Sequence, residues 1–151
     1  MKMIEFRPVT RHNFQQVANL RVAAYQEDFV DSAIHSLAQA YVIGEACKPF
    51  AIYHNDNVIG FIMFRYGLGH KRTEIASIII DKNYQSQGYG TKAIQLAIDL
   101  LTNEGKTRVV QLDYNPSNLV AKHIYEQQGF SVVKLEDNGE ILMERNLWHS
   151  H

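Results

Sequence analysis

The stretch Gln85-Ser86-Gln87-Gly88-Tyr89-Gly90 sets two of the chain's nine glycines just ahead of an apolar, helix-forming run. Bare backbone before a helix suits an anion, because the first helical N–H groups lack internal acceptors and the helix dipole adds about half a positive charge there. A triphosphate would want G-x-x-x-x-G-K-[ST]; here Thr91-Lys92 follow Gly90 with no glycine five places before it. A dinucleotide fits better, since Gly88, Gly90 and Ala93 satisfy G-x-G-x-x-A and Asp113 follows 25 residues beyond Gly88. That fingerprint, however, comes after several strand-like runs instead of opening a βαβ unit. Only one helix and one hairpin remain after Asp113, so a nicotinamide has no half-site. A different phosphate-bearing cofactor stays open.

Groups suited to proton transfer stand around this turn. Glu74 lies eleven residues before Gln85, and Asp113 lies on the strand-like run after the helix. Tyr125 is either a core tyrosine on an apolar helix face with Val120, Ala121 and Ile124, or a phenol that gives up a proton; with an ordinary pKa of about 10 it stays protonated at neutral pH. Glu27, Asp28 and Asp31 crowd one short segment, where they can meet the ammonium groups of a polycation or simply cap helices in a solvated turn. The single cysteine, Cys47, excludes an internal disulfide and a four-cysteine metal site, and with no base beside it reads as a packing residue. Seven histidines include no H-E-x-x-H, and the terminal "WHSH" reads as a solvated tail, so no metal is expected.

The elements that hold these groups follow from periodicity. A short strand near Ile4 to Arg7 precedes a helix that Thr10 is placed to cap, with Phe14, Val17, Ala18, Leu20, Val22 and Ala24 at helical spacing. Asp31 or Ser32 caps a second helix, with Ile34, Leu37, Ala38 and Tyr41 on one face and Gly44 at its end. "PFAIYHNDNVIGFIMFRYG" reads as a hairpin around "HNDN", and "TEIASIIID" as a further, β-branched strand. From Thr91 a helix runs through Ala93, Ile94, Ala97, Ile98 and Leu101 to Gly105. "RVVQLDY" is a strand, and "NPSNLVAKHIYEQQGF" a helix with Pro116 and Ser117 at its start and Gly129 past its end. A hairpin turning at Asn138-Gly139 closes the chain. The order β-α-α-β-β-β-α-β-α-β-β is a mixed α/β fold. The helix between Asp81 and Arg108 makes a right-handed crossover between parallel strands, which sets the glycine turn at a strand's carboxyl end, where α/β sheets bind ligands.

With 151 residues, 46% of them hydrophobic, and no repeat or linker, one domain spanning 1–151 is expected. A net charge of −1 supplies no field for nucleic acid or an anionic membrane. The longest apolar run, "VIGFIMF", is far below the ~20 residues of a membrane helix, and "MKMIEFRPVT" holds no signal core, so a cytoplasmic location is expected.

Two motifs then resolve the glycine turn. Gln85-x-x-Gly88-x-Gly90 resembles the pyrophosphate loop of the GNAT superfamily of acetyl-CoA-dependent N-acetyltransferases, and Asn118-x-x-Ala121-x-x-x-Tyr125-x-x-x-Gly129-Phe130 resembles that superfamily's second motif. They occur in the family's order, one helix and one strand apart, within an element order that matches along the whole chain. Ser86 departs from the glycine that many members carry. The resemblance implies acetyl-CoA as co-substrate, held by Gln85, Ser86, Gln87, Gly88, Tyr89, Gly90 and Thr91, with Asn118 facing the coenzyme and Ile78, Ile79 and Ile80 offering main-chain groups to the pantetheine arm. It implies that the sheet splays to admit that arm, that Tyr125 protonates the departing thiolate, and that Glu74 stands where the histone-acetylating branch carries its base. Asp113 is the reserve base, and a water chain is a third route. Some acceptor of protons is needed, because an alkylamine of pKa about 10.4 must be neutral to attack, at a cost of about 4 to 5 kcal/mol at pH 7.

The acceptor is a small-molecule amine on this resemblance. Gln26-x-x-Phe29-Val30, Ser36-Leu37-Ala38-x-Ala40-Tyr41 and Pro49-x-x-Ile52-Tyr53 resemble the bacterial spermine/spermidine acetyltransferases, which implies that Glu27, Asp28 and Asp31 hold a polyamine. A peptide or protein N-acetyltransferase and a non-catalytic acyl-CoA-binding module are the alternatives, and a homodimer is compatible with all three.

Overall fold

Alternation of side chains explains why both faces of the central strands are covered. A computed structural model describes residues 3–27 and 30–148. Its strands are β1 (Ile4–Pro8), β2 (Cys47–His54), β3 (Asn57–Arg65), β4 (Arg72–Ile80), β5 (Val109–Tyr114), β6 (Ser131–Leu135) and β7 (Ile141–Asn146); its helices are α1 (Phe14–Ala18), α2 (Ala33–Ile43), α3 (Tyr89–Glu104) and α4 (Leu119–Gln127). The seven strands form one sheet in the order β1-β2-β3-β4-β5-β7-β6. Ile52, Ile62, Phe64 and Ile75 join Ala93, Ile94, Ala97, Ile98 and Leu101 of α3 in one apolar cluster. Their strand neighbours Ala51, Tyr53, Phe61 and Met63 point the other way, into a second cluster with Val17, Leu20 and Ala33. Among the described residues no helix is long and apolar enough to cross a membrane.

The expected element order holds, with two corrections in the first third. The first helix is one short piece, Phe14–Ala18, with Asn13 and not Thr10 at its N-cap position, and it stops at Asn19. Leu20 is buried from this non-helical stretch, and Val22 lines a cavity, so burial of single side chains replaces the helical stripe that the spacing suggested. On α2, Ser32 is the cap, its Oγ accepting from His35 N–H at 3.1 Å. The packed residues there are Ala33, Ser36, Leu37 and Ala40, whereas Ile34 and Tyr41 are 44% and 90% exposed. Apolar spacing alone does not say which of two overlapping stripes meets the sheet.

Candidate active site

The site begins where two parallel strands part. Pairing between β4 and β5 covers only Arg72 with Val109, Thr73 with Val110 and Glu74 with Gln111. Beyond that rung β4 stays with β3 as far as Ile80 opposite Gly60, while β5 stays with β7 as far as Tyr114 opposite Ile141. The two strands therefore diverge into a wedge. On β4 the register passes from Ile75 opposite Phe64 to Ser77 opposite Met63, which leaves Ala76 as a bulge and adds local twist just where the wedge opens. Gly60 holds β3 tight against the free end of β4, since a Cβ there would lie 2.3 Å from the Ile79 carbonyl oxygen.

One cavity of about 290 Å³ fills the wedge on the glycine-turn side. It is lined by Ile78, Ile79, Ile80, Gln85, Ser86, Gly88, Tyr89, Gly90, Thr91, Asn118 and Tyr125, so the structure gathers every residue expected at the coenzyme except Gln87. The Gln87 amide instead donates to the Asn83 carbonyl at 3.3 Å. Ile79 packs its side chain into the α1–α2 cluster, and Tyr89 stacks its ring near His54 at 5.3 Å and Tyr84 at 6.2 Å, so both offer the cavity mainly backbone. Gln85 spends its amide nitrogen on the Ile80 carbonyl at 2.9 Å and on Gln26 Oε1 at 2.8 Å, which fixes the curve of the loop.

The loop's backbone explains its residue types. Ser86 sits at φ +62° and Gly88 at φ +87°, both left-handed. A Cβ on Gly88 would meet nothing within 4 Å, so conformation and not space selects glycine there; at Gly90 the nearest atom would be Ile124 Cδ1 at 3.4 Å. Gly88 caps α3, which starts two residues earlier than the apolar spacing indicates, and the first intrahelical bond runs from Lys92 N–H to the Gly88 carbonyl at 3.1 Å. The Gly90 and Thr91 amides thus open the N-terminus of a 16-residue helix onto the cavity. Such a helix N-terminus, with no Cβ at Gly88 or Gly90, fits a pyrophosphate.

Tyr125 reaches the same cavity from α4. Asn118 caps that helix, its Oδ1 accepting from Ala121 N–H at 3.2 Å. At the other end Gly129, at φ +87°, lets Phe130 N–H return to the Tyr125 carbonyl at 3.0 Å and tucks the Phe130 ring 6.1 Å from that of Tyr125. Tyr114 lies edge-on at 6.2 Å. Tyr125 is only 8% exposed, and burial pushes its phenol up to about 12. It is a packed core residue and a cavity wall at once, and its O–H stays a donor throughout the neutral range.

A second cavity, about 150 Å³, shares Val30, Ile78, Asn118, Ala121 and Tyr125 with the first and carries four carboxylates, Asp31, Glu74, Asp113 and Glu140, on its wall. Glu136 stands against Asp113. Asp113 Oδ1 and Glu136 Oε1 are sealed from solvent with no N–H group to bond, so they satisfy each other only with a proton or a cation between them. Burial, and then the hydrogen bond and negative charge of Glu136, push Asp113 up to about 8. Glu74 is also raised by burial, partly offset by Arg65 and by a hydrogen bond from Gln111. Glu140 is raised by burial and by the charges of Glu136, Asp31 and Glu74. Glu136 and Glu140 escape the sequence reading because "LEDNGE" reads as a hairpin turn; β7 inserts between β5 and β6 and carries that turn over Asp113. Of the three expected acceptor carboxylates, Asp31 lines this cavity, Glu27 is exposed and lines neither, and Asp28 lies outside the described residues. Among the described residues no group of three or more histidine, cysteine or acidic side chains is arranged to hold a metal.

Residues 14–130 match the model of the acetyltransferase (GNAT) family. The chain belongs to this family. It is thus an acetyl-CoA-dependent N-acetyltransferase. It is 25% identical over 137 residues to N-alpha-acetyltransferase 50 of Danio rerio, covering 89% of this chain and 79% of that protein. It is 28% identical over 120 residues to the aminoglycoside N(6')-acetyltransferase type 1 of Klebsiella pneumoniae, covering 72% of this chain and 56% of that enzyme's length. In structure it is similar to the spermidine N-acetyltransferase of Vibrio cholerae in complex with CoA and spermine, with a TM-score of 0.78, 20% identity and 95% of each chain covered. At that identity the likeness speaks for the GNAT fold alone.

Proposed function

We propose that this GNAT enzyme acetylates a primary amine of a polyamine, such as spermine or spermidine, by direct attack on the thioester. The observation that carries the reading is the carboxylate-walled cavity that opens onto Tyr125 beside the coenzyme cavity. Ammonium groups of one polyamine meet Asp31, Glu74 and Glu140 on the wall of that cavity. A peptide N-terminus brings one positive charge and leaves most of these carboxylates unmatched, while an aminoglycoside is a bulkier polycation that competes for the same chemistry.

The residues divide the work as follows. Gln85 to Thr91 hold the pyrophosphate, through the Gly90 and Thr91 amides above all, and the Ile78 to Ile80 main chain lines the pantetheine arm. When bound, acetyl-CoA supplies an acetyl group activated as a thioester. Tyr125 donates the proton that a departing sulfur needs. Asp113 keeps its proton to about pH 8, so Glu74, at the mouth of the wedge, is the carboxylate that takes the amine proton. Burial raises Glu74 toward working pH, which strengthens it as a base. Mass spectrometry of products formed from acetyl-CoA with spermidine, spermine and an unmodified peptide tests the assignment. An acetylated polyamine is expected; acetylated peptide with unmodified polyamines contradicts it.

A further inference from the structure

Between α1 and α2, Val22, Tyr25, Gln26 and Val30 form one wall of the coenzyme cavity, and Val30 and Asp31 also line the amine cavity. Two ties hold this segment. The first joins it to the end of β4: Arg21 N–H donates to Asp81 Oδ1 at 2.9 Å, and Lys82 N–H donates to the Arg21 carbonyl at 2.6 Å. The second joins it to the pyrophosphate loop. Gln26 Oε1 accepts from Gln85 Nε2 at 2.8 Å while also accepting from Ala23 N–H at 3.3 Å. The same Gln85 nitrogen donates to the Ile80 carbonyl, so its orientation is fixed from the sheet side and only an oxygen on Gln26 can meet it. The motif residue whose type marks the coenzyme loop thus has its polar end turned to the segment that leads to the acceptor carboxylates.

We propose that Gln26 is a positioning residue that couples the two cavities: its bond to Gln85 ties the wall formed by Val22, Tyr25 and Gln26 to the pyrophosphate loop, and Val30, which lines both cavities, carries that setting to the amine side, so that coenzyme and polyamine strengthen each other's binding. The proposal rests on the reading that the carboxylate-walled cavity takes the amine. Coupling of this kind is reciprocal, so either ligand must tighten the other by the same factor. The Arg21 tie, made to residues outside the pyrophosphate loop, does not depend on Gln26.

The test titrates coenzyme A into the full-length protein with and without saturating spermine, in wild type, Gln26→Leu and Gln26→Glu, alongside steady-state kinetics. Wild type is expected to bind coenzyme A about 5- to 20-fold tighter with spermine present, within the usual range of such coupling. In Gln26→Leu that factor falls to near one and the amine KM rises by a similar factor while kcat at saturation falls less. Gln26→Glu, which keeps an acceptor oxygen at the same reach, restores the factor. A structural role alone would weaken coenzyme A binding without spermine and leave the factor intact, and that outcome overturns the proposal. Spermine that binds wild type with no effect on coenzyme A overturns the coupling and spares the acceptor reading; spermine that fails to bind overturns both.

Discussion

Glu74 and Gln111 form the last rung of the ladder between β4 and β5, and the strands separate immediately beyond it. The parting puts a half-buried carboxylate at the mouth of the wedge, with the glycine cradle on one side and the carboxylate-walled cavity on the other. A bulge at Ala76 and a crossover through α3 are enough to build that arrangement from a sheet that is otherwise fully paired.

Glu74→Gln follows from this position. Raised by burial, Glu74 loses its proton above the ordinary carboxylate range, and the rate rises with pH as it does so. The glutamine variant is expected to lose that acidic limb and to fall about 100-fold in kcat/KM, the usual size of a general-base contribution. An unchanged limb in the pH profile removes Glu74 as the base.

Tyr125→Phe separates proton donation from packing. The ring keeps its contacts with Tyr114 and Phe130, so the melting temperature and coenzyme affinity should hold, while kcat falls about 100-fold for loss of the donor. Loss of folding with retained specific activity of the remaining native fraction would leave only the packing role.

Asp113→Asn tests the shared proton. The carboxyl titrates near the usual carboxylate range when unfolded and at about 8 when folded, so the folded chain holds an extra proton between those values. The associated stability is complete below about pH 4 and is lost as pH rises through 8. Asparagine supplies an N–H donor to Glu136 at every pH, so Asp113→Asn should melt higher than wild type at pH 9 and match it at pH 4, read by thermal unfolding. Equal melting temperatures at both pH values would contradict the shared proton.

At Ser86 the backbone is left-handed, a conformation that glycine adopts without strain. Ser86→Gly is expected to relieve about 1 kcal/mol of strain and raise the melting temperature by about 2 to 4 °C, whereas Gly88→Ala should cost stability although its Cβ meets no neighbour. A destabilised Ser86→Gly would show that the serine side chain holds the loop.

Much of this was legible in the residues. Alternation and caps placed the strands and the two crossover helices α3 and α4. The Gln85 to Gly90 loop and the Asn118 to Phe130 helix were legible because their chemistry is local: backbone conformation, a cap and a helix end. The α1–α2 region was not, since Leu20 is buried from irregular chain, and α2 turns Ser36 inward while Tyr41 stays in solvent. Glu136 and Glu140 were hidden for a different reason. Their partner Asp113 is two elements away, and only the insertion of β7 between β5 and β6 brings the three carboxylates together.

The most direct measurement is thiol release from acetyl-CoA with spermine, spermidine, a monoamine, an aminoglycoside and an N-terminal peptide, compared by kcat/KM. The account predicts that spermine and spermidine lead, that the monoamine trails because it leaves the Asp31, Glu74 and Glu140 carboxylates unmatched, and that the peptide is slowest. Turnover of the peptide above both polyamines, or none with any amine despite coenzyme binding, would contradict it.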